Sequence, residues 1–200
     1  MQKEEPDILV ICETKWKDEW GLPEIGMDTY NLWMKNRRGK GGGGVMIWTK
    51  KTLEVVKIEI KENTSEIVKV VVRSRLREEM AYVGVYVPPL TTAWTKREHD
   101  GLIKDTIDEL GEITSQHKDV LIIGDFNCKE IDWEERTCKG GEESWGVKLL
   151  NWAEENILKQ WIDCDTRHRG RDTPSRLDLV LLRHGRRILR YKRKLEKKCK

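Results

Sequence analysis

The chain opens on a short unbroken apolar run, Asp7-Ile-Leu-Val-Ile-Cys12, that stops at Glu13. Such a run predicts a strand buried on both faces. A loop with Trp16, Trp20, Gly21, Pro23 and Gly26 follows. Lys40 and Gly41 to Gly44 then lead into Val45-Met-Ile-Trp48, which reads as a strand entered through a flexible turn. Leu53 to Ile60 and Ile67 to Val72 alternate polar with apolar, predicting strands with one wet face. Met80 to Val87 predicts another buried strand, stopped by Pro88-Pro89. From Lys96 to His117, Leu102, Ile103, Ile107, Leu110 and Ile113 recur at helical spacing. This amphipathic helix leads into a buried strand, Val120 to Ile123, that ends in Gly124-Asp125-Phe126-Asn127. A second helix fits Ser144 to Leu158, with Ser144 as N-cap and Val147, Leu150, Ala153 and Ile157 facing the core. Leu177 to Leu182 is the last strand-like run. Strands mixed with two helices, without strict alternation, predict a layered α/β domain with mixed sheets.

Composition narrows this picture. At 200 residues and 38% hydrophobic content the chain fits one domain with a sizeable core. No stretch approaches the roughly 20 apolar residues of a membrane span, and the start, Met-Gln-Lys-Glu-Glu-Pro, lacks the apolar core of a secretory signal. The expectation is a soluble intracellular protein without a membrane partner. Cys12, Cys128, Cys138, Cys164 and Cys199 form no C-x-x-C pair, so reduced thiols are expected rather than a disulfide framework or zinc site. The net charge of +3 hides an asymmetry: residues 167–200 carry 14 Lys/Arg against Asp172, Asp178 and Glu196, a net of +11, which leaves −8 on residues 1–166. A basic end suits contact with a polyanion and is compatible with the nucleus, and it reads equally as a solvated tail.

Chemistry is sought where polar residues directly follow buried strands, because strand ends are rigid and open to solvent. Glu13, Tyr86, the pair Asp125 and Asn127, and Asp178 within Arg176-Leu-Asp-Leu meet that condition. If Asp125 and Asn127 continue a strand, both side chains point one way, a carboxylate as base or ligand beside an amide donor. The bland alternatives are a solvated Glu13 and a simple Asp-Phe-Asn turn. Gly39-Lys-Gly-Gly-Gly-Gly44 satisfies G-x-G-x-x-G, yet charged residues precede it and a strand follows, so it is no dinucleotide site. Trp16, Trp20 and Trp94 sit in polar contexts and could stack on bases, although partial burial is the commoner fate of Trp.

In order, E-T-K after a buried strand, G-G-G-V opening a strand, V-Y-V-P-P, I-I-G-D-F-N and S-R-L-D-L-V-L-L resemble the endonuclease/exonuclease/phosphatase (DNase I-like) superfamily. The nearest look is to the endonuclease domain of non-LTR (LINE-type) retrotransposons, over roughly residues 6–182. The resemblance implies an α+β layered sandwich, two packed mixed sheets flanked by helices, as a domain over 1–182 followed by a basic tail at 183–200. It implies that Glu13 ligates Mg²⁺, or Mn²⁺ in its place, which polarises the scissile phosphate. Asp125 would orient or deprotonate the attacking water, Asn127 would hold it or a phosphate oxygen, and Tyr86 would contact the phosphate or assist the leaving group. Asp178 matches the family residue that orients a catalytic histidine. DNA is the implied substrate, a nick with a free 3′-hydroxyl the implied product, and a reverse-transcriptase domain of a longer parent product an implied partner.

Two departures temper the implied activity. The family's Asn-bearing first strand has no counterpart among the twelve residues before Glu13, and its Ser-Asp-His triplet has none after Asp178, where His184 is the last histidine. The expectation is therefore a chain lacking the first and last strands of the family fold, marginally stable and nearly inactive alone. Losing one acid/base group alone costs roughly 10²–10⁴-fold. Two further readings remain open: a non-enzymatic nucleic-acid-binding remnant acting through the basic end, and a phosphatase of small phosphoesters.

Overall fold

A computed structural model describes residues 5–23, 28–168, 170 and 173–183. The basic tail from 184 onward, with His184, lies outside the described residues. Three strands form an antiparallel sheet in the order β1 (Ile8–Cys12), β3 (Val45–Lys50), β2 (Tyr30–Lys35). Six more form a mixed sheet in the order β10 (Lys159–Gln160), β11 (Asp178–Arg183), β7 (Val120–Asp125), β6 (Glu79–Tyr86), β5 (Ile67–Arg73), β4 (Glu54–Glu59). Only β6 and β7 pair in parallel among these, and helix α1 (Lys96–Gln116) makes the crossover between them. A small hairpin, β8 (Ile131–Asp132) with β9 (Thr137–Cys138), precedes helix α2 (Trp145–Glu155).

The two sheets face each other through Val45 and Ile47 of β3 against Val68 and Val70 of β5 and Tyr86 of β6. On its other face the larger sheet carries the helices: Leu102, Leu110 and Ile113 of α1 and Leu149 and Trp152 of α2 share one core with Val83, Val85, Ile122 and Leu181. This is the layered α/β arrangement expected, with the larger sheet mixed and the smaller one antiparallel. Thr95 and Glu98 close a reciprocal capping box at the start of α1, and Ser144 accepts the Val147 N–H at the start of α2. No helix among the described residues is long and apolar enough to cross a membrane.

Several local expectations are corrected. β1 is not buried on both faces: Leu9 and Ile11 are 41% and 38% exposed, because no described layer covers the outer side of the small sheet. β5 has no wet face, since the small sheet covers one side and α1 the other. Lys69 is accordingly buried, with its ammonium 3.0 Å from Glu59. Ile157 lies beyond α2 with φ 55° and is exposed, while Leu149 takes the core position. Cys12, Cys128 and Cys138 are free thiols as expected, and Cys199 lies outside the described residues.

Candidate active site

Strand pairing assembles most of the candidate site. The last residues of β6 and β7 are register partners, Tyr86 beside Asp125, and the first residue of β11 is the antiparallel partner of the same Asp125. Three neighbouring strands thus deliver Tyr86, Asp125 and Asp178 to one edge of the larger sheet. Glu13 arrives from the other sheet. Its strand β1 ends at Cys12, whose thiol donates to the Val85 carbonyl at 3.2 Å and so ties the end of β1 to the end of β6. All five predicted residues are at this end of the sandwich.

Asp125 and Asn127 meet through a turn rather than by strand alternation. β7 stops at Asp125, whose Oδ1 accepts the Asn127 N–H at 3.0 Å, and Asn127 takes the left-handed conformation with φ 45°. Phe126 between them is fully buried, its ring stacked on Trp145, and the Trp145 indole donates to the Phe126 carbonyl at 2.8 Å. The aromatic residue anchors the turn from below and leaves the polar pair on top. One N–H of the Asn127 amide donates to Val87 O at 2.9 Å, so part of its capacity holds the end of β6.

The electrostatics at this end are those of crowded acids. Burial, and then the carboxylates of Asp178 and Glu13, push the Asp125 carboxyl up to about 6 against the stabilising Asn127 N–H. Burial likewise pushes the Tyr86 phenol up to about 12, helped by Glu13 and Asp125, and the Cys12 thiol to about 12. Glu13 and Asp178 are exposed; Glu13 lies 3.4 Å from the Lys15 ammonium. Among the described residues no three His, Cys, Asp or Glu side chains converge as a ready metal cage. A hard Mg²⁺ ion needs less, since it binds through one or two carboxylates and fills its octahedron with water and substrate oxygens. Exposed Glu13, facing a neighbourhood of mutually repelling acids, fits such a site.

Residues 80–198, more than half of the chain, match the family described as endonuclease-reverse transcriptase. The chain belongs to this endonuclease/exonuclease/phosphatase family. Tyr86, Asp125, Asn127 and Asp178 fall within the matched stretch and Glu13 lies before it. No curated protein matches. Among solved structures, the chain is similar to a 3′-5′ exonuclease from Neisseria meningitidis at 17% identity and TM-score 0.62, over 90% of this chain and 77% of that one. It is similar also to an AP endonuclease from Archaeoglobus fulgidus at 16% identity and TM-score 0.61, over 89% and 76%. At such identities the likeness shows the DNase I-like fold.

A family member would be expected to place a histidine beside Asp178. Among the described residues none is hydrogen-bonded there: His99 bonds Pro88 O at 2.9 Å, and His168 bonds Asp165 O at 3.2 Å. Asp178 instead has its backbone N–H fixed by Thr166 Oγ1 at 3.0 Å. Trp16 and Trp20 pack edge to face, 5.5 Å between centroids, with Trp20 exposed, and half-buried Trp94 is flanked by the cations of Arg37 and Lys40. Arg37 and Glu66, absent from the sequence-based set, prove to lie next to the site. Their signal is an Arg shortly before a glycine run and a Glu immediately before the valine-rich strand β5.

Proposed function

We propose that the chain is a metal-dependent DNA endonuclease of the retrotransposon type, hydrolysing one phosphodiester bond to leave a nick. The observation that carries this reading is the convergence of Tyr86, Asp125 and Asp178 on adjacent strand ends with Glu13 delivered opposite, inside a family of nucleases. A carboxyl lifted to about 6 is suited to general-base work near neutral pH. Asp125 takes a proton from water as its oxygen adds to phosphorus, the P–O3′ bond breaks, and the departing 3′ oxygen takes a proton from solvent to become the 3′-hydroxyl. Tyr86, whose raised pKa keeps the phenol protonated, hydrogen-bonds the phosphate or the departing 3′ oxygen. The Asn127 amide holds a phosphate oxygen or the water, and the Asp178 carboxylate stands beside Asp125 as its register partner. Glu13 would hold Mg²⁺ or Mn²⁺, which when bound supplies charge neutralisation at the phosphate.

DNA as substrate is supported by the family and by the basic end of the sequence, which would add salt-sensitive contact to phosphates. The same family described with a reverse transcriptase is the ground for proposing that partner. A duplex oligonucleotide labelled on one strand, incubated with Mg²⁺, tests the reaction. The expected product is a cut strand whose new end a DNA polymerase extends, as a 3′-hydroxyl requires. Phosphate release from small phosphoesters with the duplex left whole would overturn the proposal in favour of a phosphatase.

A further inference from the structure

Resting on that reading of Glu13 and Tyr86, we infer that the buried Arg37–Glu66 ion pair is the positioning pair that sets both residues in place. Glu66 stands at the head of β5, its side chain 3% exposed and that of Arg37 9%. Arg37 Nε donates to Glu66 Oε1 at 2.6 Å, and Glu66 Oε2 accepts the Gly44 N–H. The Glu66 backbone carbonyl accepts the Tyr86 N–H at 3.0 Å, so one residue reaches the glycine run with its side chain and the site tyrosine with its main chain.

The glycine run is what Glu13 is registered against. Gly44 O accepts the Thr14 N–H at 3.3 Å and Gly43 O accepts the Lys15 N–H at 2.7 Å. These bonds bracket a segment in which Glu13 and Lys15 both adopt left-handed φ, 53° and 56°, a conformation non-glycine residues hold only under outside constraint. Glycine is required on the facing side: Gly43 and Gly44 have φ of 69° and 93°. A Cβ at Gly43 would run into the Arg37 guanidinium, and one at Gly44 into Thr14 Oγ1. The flexible turn expected from sequence is therefore a fitted one.

Arg37 completes the device on the tyrosine side. Its guanidinium carbon lies 5.5 Å from the Tyr86 ring centroid and 5.1 Å from that of Trp94, and Nη1 donates to Gly41 O at 3.3 Å. A buried ion pair is a weak source of stability, since an apolar pair of the same volume often serves as well. What an apolar pair could not do is accept the Gly44 N–H while placing a cation over Tyr86.

The test is Mn²⁺ binding by the full chain without DNA, followed by electron paramagnetic resonance, beside melting temperatures. Glu66→Gln keeps shape and an acceptor but loses the charge; Arg37→Lys keeps the charge but loses the planar fork. Disturbing a group that orients a metal ligand costs roughly 10–100-fold in metal affinity, so each variant is expected to raise the Mn²⁺ Kd by at least about tenfold. A purely structural pair would lower the melting temperature and leave the Kd of the folded protein unchanged, which overturns the inference. If Glu66→Gln does not fold, Arg37→Lys decides by the same criterion. Glu13→Ala separates the two levels: loss of binding there with unchanged Kd in both pair variants removes only the positioning role. Unchanged binding in Glu13→Ala removes the site reading itself.

Discussion

Replacing Asp125 by Asn should make the protein more stable and less active, and the stability gain should depend on pH. The carboxyl is raised from 3.8 to about 6, so the folded state binds its proton more tightly than the unfolded state does. For an acid with a raised pKa, the penalty is absent below the unfolded value. It grows between pH 4 and pH 6 and is fully present above the folded value. About two pKa units at 1.36 kcal/mol each put the penalty at neutral pH near 3 kcal/mol as an upper bound. Asn keeps an Oδ1 acceptor for the Asn127 N–H, so the turn is preserved while the charge is removed. The assay is thermal unfolding of both proteins in EDTA at pH 4 and pH 8. For a chain of this size the gain at pH 8 corresponds to about 6–10 °C. Little or no gain is expected at pH 4. A variant equally or less stable than the parent at pH 8, or one whose gain is the same at both pH values, would refute the idea that crowding and burial strain Asp125.

Other predictions follow from the same geometry. Tyr86→Phe keeps the ring packed against Val45 and Ile47 and removes only the hydroxyl, so cleavage should fall by about 10²-fold or more with the melting temperature little changed. Gly44→Ala should cost roughly 1–3 kcal/mol in chemical denaturation because of its positive φ and the collision with Thr14, whereas Gly41→Ala, with nothing within 4 Å, should be nearly neutral. Removal of residues 184–200 should weaken DNA binding and flatten its salt dependence, by a slope of about 0.9 for each phosphate that the tail neutralises. That truncation must spare Arg183, the last residue of β11, whose guanidinium bonds Lys118 O at 3.2 Å. Unchanged affinity across a salt titration would show that the basic end does not touch DNA.

What was legible in the sequence were the features that depend on local pattern. The strands running into Glu13, Tyr86 and Asp125, and both helices, the second with its Ser144 cap, came directly from apolar runs and periodicity, whereas the Thr95–Glu98 capping box of α1 emerged only in the fold. β2 was not legible because all its residues are half-buried, which leaves no alternation to read. The buried Lys69 hid β5 behind a false wet face, since only the two covering layers reveal that its charge is paired inside. The site residues were legible as strand-end polar groups, but their convergence is a property of register. Asp178 meets Asp125 only because β11 runs antiparallel beside β7. Arg37 and Glu66 are 29 residues apart, and nothing local marks them as a pair.

DNA cleavage through Glu13 and Asp125 is the central claim. The direct measurement is conversion of supercoiled plasmid to the nicked circle by the parent chain, Glu13→Ala and Asp125→Ala, with Mg²⁺ and with EDTA. The prediction is slow nicking by the parent that needs Mg²⁺ and falls at least about 10²-fold in each variant. Nicking that survives EDTA or either substitution, or none by the parent at high protein concentration, would contradict it.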